Sequence, residues 1–309
     1  MAAAPVTSRS AKRSRRNTGL RLAAGALALA LAAVSTPPAC ADGAAAARGA
    51  YLAAAAGCDN CHTDSKNGGA PYAGGRAMPT EFGTIVTPNI TPDKSGIGGW
   101  SLDDFVRGMR WGIAPDGTHY VTAFPFSYYG QLTDGDLADL KAYLDGLAPV
   151  SRPGLGRADS LALLARARDA IGIAIAASLG SAAPVPSSSD PAIARGAYLI
   201  ATVGRCGDCH TPRAWLGNPD HRRELAGSRG GIEGKRAPNI TSDPKTGIGK
   251  WSEDDIAYLL KDGGTPDGDF VGGLMAEIVR NTVRLTDDDR RSIAAYLKAL
   301  PPKAFDKND

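Results

Sequence analysis

"CDNCH" at residues 58–62 and "CGDCH" at residues 206–210 decide how this chain is read. Each run sets two cysteines three positions apart and a histidine directly after the second. Three chemistries use paired cysteines at this spacing. A dithiol redox pair does not need the histidine and sits in a βαβ setting, for which the surrounding sequence gives no pattern. Structural zinc needs four ligands at short spacing, and the two pairs lie about 150 residues apart. Covalent haem attachment uses every residue of the run: two thiols on one helical turn add across the two vinyl groups of a porphyrin, and the adjacent imidazole points at its iron. Cys58 and Cys61 are then the thioether positions and His62 the proximal ligand, with Cys206, Cys209 and His210 repeating the set.

The rest of the chain repeats as well. "ARGAYL" occurs at 47–52 and 194–199, "TPNITPDKSGIGGWSLDD" (87–104) matches "APNITSDPKTGIGKWSEDD" (237–255), and "LTDGDLADLKAYLDGLAP" (132–149) matches "LTDDDRRSIAAYLKALPP" (285–302). The order is the same both times, which marks a domain duplication rather than a solenoid. The expected organisation is a leader at 1–41, one domain at 44–150, an interdomain segment and linker at 151–190, and a second domain at 191–303. The linker is the Pro/Ser run "APVPSSSDP" (183–191). Residues 158–180 have no counterpart in the second copy and suggest a short helix packed between the domains.

Both copies read as helical. Ser101 with Asp104 and Ser252 with Asp255 are N-caps followed by an acid in the first turn, and Thr133 with Asp136 and Thr286 with Asp289 open the last helices. Leu137, Leu140, Tyr143, Leu144 and Leu147 fall on one face at helical spacing, as do Ile293, Tyr296, Leu297 and Leu300. Pro149 and Pro301 stop these helices. No alternating strand pattern stands out. A few short helices joined by Gly-rich loops enclose little core in about 105 residues, so a buried prosthetic group has to complete the centre.

The first 41 residues hold a basic stretch, the apolar run "AAGALALALAAVS" and Ala39-Cys40-Ala41, a small-residue cleavage pattern. They read as an export signal cut after Ala41. Lipidation of Cys40 is the alternative, with Pro37 and Pro38 standing where a lipobox wants small or branched apolar residues. Arg15-Arg16 lacks the apolar residues that follow a twin-arginine signal. Six of the 35 Lys and Arg lie in this leader, leaving 29 against 32 acids. The basicity of the whole chain therefore belongs to the leader and is no nucleic-acid surface. No later stretch has the apolar length of a membrane span, so membrane association is expected only through a partner. The four cysteines after the leader are all used by the two motifs.

On these residues, from "RGAYL" through the terminal "AYL" helix, each copy resembles a class I cytochrome c domain. The pair is similar to the dihaem cytochromes c that accept electrons from periplasmic alcohol and aldehyde dehydrogenases. The resemblance implies an all-α fold of two tandem domains, each a few helices wrapped around a covalent haem c, two haems in all. It implies that Pro88 and Pro238, each followed by Asn, offer carbonyls to the ligand histidines, and that Trp100 and Trp251 cover haem edges or simply pack the core. It places a distal methionine at Met275, beside the Gly272-Gly273 pair. Aligning the copies without a gap sets Phe124 on Met275, and a phenyl ring cannot bind iron. The first haem is then five-coordinate behind an apolar cap, or closed by His119, Met78 or Met109, of which Met109 lies in an amphipathic helix and suits packing better. The function implied is periplasmic electron transfer from a partner dehydrogenase to an oxidase or another cytochrome. The rival reading is a peroxidase-like haem enzyme or gas-binding protein that uses an open first haem.

Overall fold

The closest helix approaches in the structure pass through the glycines of the repeated R-G-A-Y-L run. In the first copy α1 (Pro38–Ala56) crosses α5 (Asp134–Asp145), and in the second α6 (Pro191–Ala201) crosses α10 (Asp287–Ala299). A Cβ on Gly49 would stand 1.9 Å from the Asp139 carbonyl oxygen, and one on Gly196 1.9 Å from that of Ser292. Beside each glycine an arginine ties the crossing: Arg48 donates to both carboxylate oxygens of Asp139 at 2.6 and 2.9 Å, and Arg195 to both of Asp289 at 2.8 Å. The computed structural model describes residues 38–80, 83–120, 123–153, 174, 183–214, 219–230 and 235–305. The leader up to 37, and 158–180 apart from 174, lie outside them, and so do the expectations made there. Helix α1 runs through the expected cleavage point after Ala41.

Each copy adds the same short elements between its crossing helices. The motif helices are α2 (Cys58–Cys61) and α7 (Cys206–His210). Next come α3 (Leu102–Trp111) and α8 (Glu253–Asp262), then α4 (Phe126–Tyr129) and α9 (Gly273–Thr282). Ser101 and Ser252 close full capping boxes with Asp104 and Asp255, as their spacing predicts. Asp190 caps α6 by accepting from the Ala192 and Ile193 N–H groups, with Pro191 in the first turn. Leu137, Leu140 and Leu144 of α5, and Ile293, Tyr296 and Leu297 of α10, are buried on the predicted faces. Helix α5 ends at Gly146, three residues before Pro149, while Pro301 follows the cap of α10 directly.

One element departs from the all-helical expectation. Strands β1 (Ala77–Thr80) and β2 (Gly83–Val86) form a small antiparallel hairpin in which Met78 pairs with Ile85. Met78 thus sits on a strand rather than a free loop.

Pro38–Asp309 forms one compact unit, and the two copies meet in it through matching contacts. The Tyr51 hydroxyl accepts from the Thr286 N–H at 3.1 Å and donates to Asp289 Oδ2 at 2.6 Å. In the second copy the Tyr198 hydroxyl accepts from the Thr133 N–H at 3.1 Å and donates to Asp136 Oδ2. Each terminal helix is therefore capped in part by the other copy. The linker is tied down as well: Gln131 donates to the Ala183 carbonyl and accepts from the Val185 N–H, both at 3.0 Å.

A methyl group at the helix crossing has nowhere to go. Gly196→Ala is expected to destabilise the protein by about 1–3 kcal/mol through overpacking. Gly99→Ala, where nothing lies within 4 Å of the added Cβ, should leave the melting temperature unchanged. Thermal unfolding of the two variants side by side checks this.

Candidate functional site

Two histidines, each immobilised by a backbone carbonyl, anchor the site. His62 Nδ1 lies 2.8 Å from the Pro88 oxygen and His210 Nδ1 lies 2.7 Å from the Pro238 oxygen. A carbonyl only accepts, so Nδ1 carries the proton in both rings and Nε2 keeps its lone pair for a metal. Burial pulls both imidazoles below their usual pKa, and the carbonyl hydrogen bond opposes that only in part. The rings are neutral near pH 7, the form that ligates iron.

The carbonyls are themselves held. Asn89, 3% exposed, accepts from the Thr91 N–H (2.9 Å) and hydroxyl (2.8 Å) and donates to Ser95 Oγ (3.1 Å) and the Val150 carbonyl (2.7 Å). Asn239 does the same with Thr241 (2.8 Å twice), Thr246 Oγ1 (2.9 Å) and the Lys303 carbonyl (2.6 Å). The chain beyond each terminal helix thus returns to lock its own Pro-Asn strap. The other side of the strap is pressed close: Gly74, at φ +69°, would put a Cβ 2.5 Å from the Pro88 oxygen, so this position needs glycine on both counts. Such support fixes the imidazole orientation and raises its basicity toward a metal.

The four thiols are free and half-buried. Burial, and after it the neighbouring cysteine, pushes Cys58 and Cys206 up to about 12. A redox dithiol has the opposite shift, toward thiolate. Among the described residues no group of three or more His, Cys, Asp and Glu side chains converges as a metal site, so a zinc centre has no ligand set. A thiol pair and an Nε2 lone pair on one short helical turn fit covalent haem in each copy.

The residues expected on the distal sides differ between the copies. Met275 is half-buried on the first turn of α9, and Gly273 before it takes φ +57°. In the first copy Phe124 is half-buried in an aromatic cluster, edge-on to Tyr120 at 5.4 Å and tilted on Tyr129 at 5.6 Å. His119 is exposed and bridges to Ile113, a place that Phe270 takes opposite Gly264 in the second copy. Met109 is buried in the core on α3, and Met78 is half-buried on β1. Trp100 and Trp251 pack against the core.

The ungapped register holds only at the start of this stretch. The Tyr120 and Val271 N–H groups bond the Gly112 and Gly263 carbonyls alike, but Phe126 then faces Gly112 where Val279 faces Gly263. The second copy has two more residues in between. Phe124 matches Met275 counted from the bridge and Glu277 counted from the following helix, because α4 is a single turn where α9 is ten residues long.

Contacts that tie each motif to the other copy lie outside what local spacing reveals. Asn60, inside the first motif, donates to Asn281 Oδ1 at 3.1 Å, and Arg284 reaches Asp59 at 3.1 Å. Arg205, directly before the second motif, lies over the Tyr129 ring at 5.5 Å. Only the polar residues inside each motif hint at a partner.

A cytochrome c family profile matches residues 46–148 and 193–301, and the chain belongs to that family. It binds haem c covalently and its work is electron transfer. It is 41% identical over 260 residues to "Diheme cytochrome c-type" of Cereibacter sphaeroides, covering 83% of this chain and 86% of the relative. It is 39% identical to the gluconate 2-dehydrogenase cytochrome c subunit of Pantoea cypripedii, and 36% identical to the cytochrome c subunit of the quinone alcohol dehydrogenase of Gluconobacter oxydans. The matches cover 83% and 84% of this chain but only 59% and 56% of those two subunits.

The straps give a direct check. Asn239→Ala removes donors and acceptors from buried Thr241 and the Lys303 carbonyl, each unsatisfied group costing about 1–3 kcal/mol. The variant should melt well below the parent protein in thermal unfolding.

Proposed function

We propose that this chain is an exported dihaem cytochrome c that takes electrons from a partner dehydrogenase and passes them to an oxidase or another cytochrome. The observation that carries the reading is the duplicated motif with its histidine bonded through Nδ1 to a proline carbonyl in both copies. Cys58, Cys61 and His62 hold the first haem, and Cys206, Cys209 and His210 the second. Haem c supplies the one-electron change between ferrous and ferric iron. The chain supplies the attachment, the neutral imidazoles, the Asn89 and Asn239 straps and an interface that keeps the two motifs together. The dehydrogenase donor is supported by the relatives named as dehydrogenase cytochrome subunits. The leader pattern supports a periplasmic location. No helix among the described residues is long and apolar enough to cross a membrane, so membrane contact is assigned to a partner.

Met275 is the sixth ligand of the second haem, and Phe124 caps an open or weakly held sixth site at the first. His119 is exposed, Met109 is engaged in the core and Met78 is paired in the hairpin. The aromatic cluster of Phe124, Tyr120 and Tyr129 is the observation that keeps small-ligand binding at the first haem as a second reading.

Mass spectrometry of the exported protein should show two haem additions on a chain beginning at Asp42. A single addition removes the dihaem reading. A redox titration then separates the sites. Methionine ligation raises a haem potential, so the first haem should titrate below the second, and Met275→Ala should lower the second and abolish its thioether-to-iron band. Carbon monoxide should bind the reduced first haem. Two equal potentials without CO binding mean that another residue closes the first site. Binding that appears only in His119→Ala identifies that residue as His119.

A further inference from the structure

The residue just before each motif has the same backbone and a different side chain. Gly57 has φ 66°, ψ 36° and Arg205 has φ 46°, ψ 36°, both left-handed. Glycine adopts this conformation freely, while a residue with a Cβ is strained there. The fold therefore keeps an arginine where its own duplicate shows that glycine suffices.

The side chain points to the reason. Arg205 is 17% exposed and lies over the ring of Tyr129, which belongs to the other copy, at 5.5 Å. Its Nη1 donates to Asp208 Oδ2 at 3.3 Å, and its Nε is buried with no hydrogen-bond partner. Asp208 is shared with Arg213 at 2.8 Å, so it does not neutralise Arg205 alone. Cys58 and Cys61 of the first motif and Cys209 of the second all lie within electrostatic range of the guanidinium. A permanent cation is thus held within reach of both attachment motifs, in contact with the ring that packs on Phe124.

We propose that Arg205 sets the division of electrons between the two haem sites: its buried positive charge favours the reduced state, most strongly at the second haem beside Cys206, and its contact with Tyr129 couples that site to the first. Reduction adds one electron to ferric iron and removes one unit of positive charge from the site. A fixed cation nearby stabilises the product over the reactant, and more so when burial lowers the local dielectric. Arg205 is a positioning residue in this scheme and binds no iron. The inference rests on the dihaem reading.

The test is Arg205→Gly, which copies the residue found at position 57 and relieves the backbone strain, together with Arg205→Lys, which keeps the charge and loses the planar stack. Haem content is measured first by mass, since fewer than two haems in the parent protein is a failure of the dihaem reading and not of this one. With two haems bound, spectroelectrochemical titration should show electrons shifting away from the second haem by at least about threefold in Arg205→Gly, and far less in Arg205→Lys. Because the charge is buried, the shift should persist at 1 M salt, where the screening length is about 3 Å. Arg205→Gly should melt no lower than Arg205→Lys. An unchanged electron distribution in Arg205→Gly overturns the proposal, as does an equal shift in both variants.

Discussion

Two tyrosine hydroxyls hold this architecture together. A capping box normally closes within one helix: the N-cap side chain accepts from the N3 backbone, and the N3 side chain accepts from the N-cap backbone. Ser101 with Asp104 and Ser252 with Asp255 do this unaided. The terminal helices do only half. Thr133 and Thr286 accept from the Asp136 and Asp289 N–H groups, but their own N–H groups turn to a tyrosine of the other copy, whose hydroxyl in turn donates a hydrogen bond to the aspartate. Both terminal helices are thus fully capped only when the copies are together. The tyrosines stand on α1 and α6, which end at Ala56 and Ala201, shortly before Cys58 and Cys206. The bond that completes the helices therefore also sets where the cysteines of one copy lie relative to the other.

Burial raises the stakes of this arrangement. Asp289 takes a bidentate arginine from its own copy and a hydroxyl from the other, and these hold its carboxyl below the usual range against the burial that would raise it. A group whose folded pKa is depressed contributes fully above its unfolded value, near 4, and loses that contribution as pH falls through the folded value. The Tyr51–Asp289 contact is thus complete at neutral pH and is lost as pH falls through the depressed pKa of Asp289.

What the sequence revealed follows from the range of the interactions involved. Caps, apolar faces and the haem motif are written in residues at most a few positions apart, and each appears where its spacing places it. The Pro-Asn pairs were legible through resemblance, but their locking partners, the Val150 and Lys303 carbonyls, are backbone groups about 60 residues away with no side-chain signature. The hairpin was missed because four-residue strands are too short to show alternation, and Pro79 argues against one. The register shift after Tyr120 was hidden because the flanking matches are equally good on either side of it. The tyrosine contacts join residues more than 60 positions apart in one case and more than 230 in the other, and no periodicity reports them.

Duplication makes the differences between the copies informative. Where a position does the same work twice, it keeps its residue: Arg48 and Arg195, Gly49 and Gly196, Tyr51 and Tyr198, Asn89 and Asn239. Some work is conserved while its residue moves. In the first copy Arg110 of α3 bonds the Gly130 and Leu132 carbonyls and Asp134, and in the second Arg290 of α10 bonds the Thr282, Val283 and Leu285 carbonyls and Asp287. The carbonyls at the ends of α4 and α9 and just beyond them take an arginine in either case, and the helix that supplies it is interchangeable. Phe124 against Met275 and Gly57 against Arg205 are differences of another kind: Phe124 packs with Tyr120 and Tyr129, and the cations at the first motif come from elsewhere, Arg76 bonding the Asn60 carbonyl and Arg284 of the other copy reaching Asp59. Under the proposed assignments both act in one direction, since a thioether ligand and a nearby fixed cation would each favour reduced iron in the second copy. A scaffold that is symmetric in its packing would then be polarised in its chemistry, with a downhill path from the first site to the second.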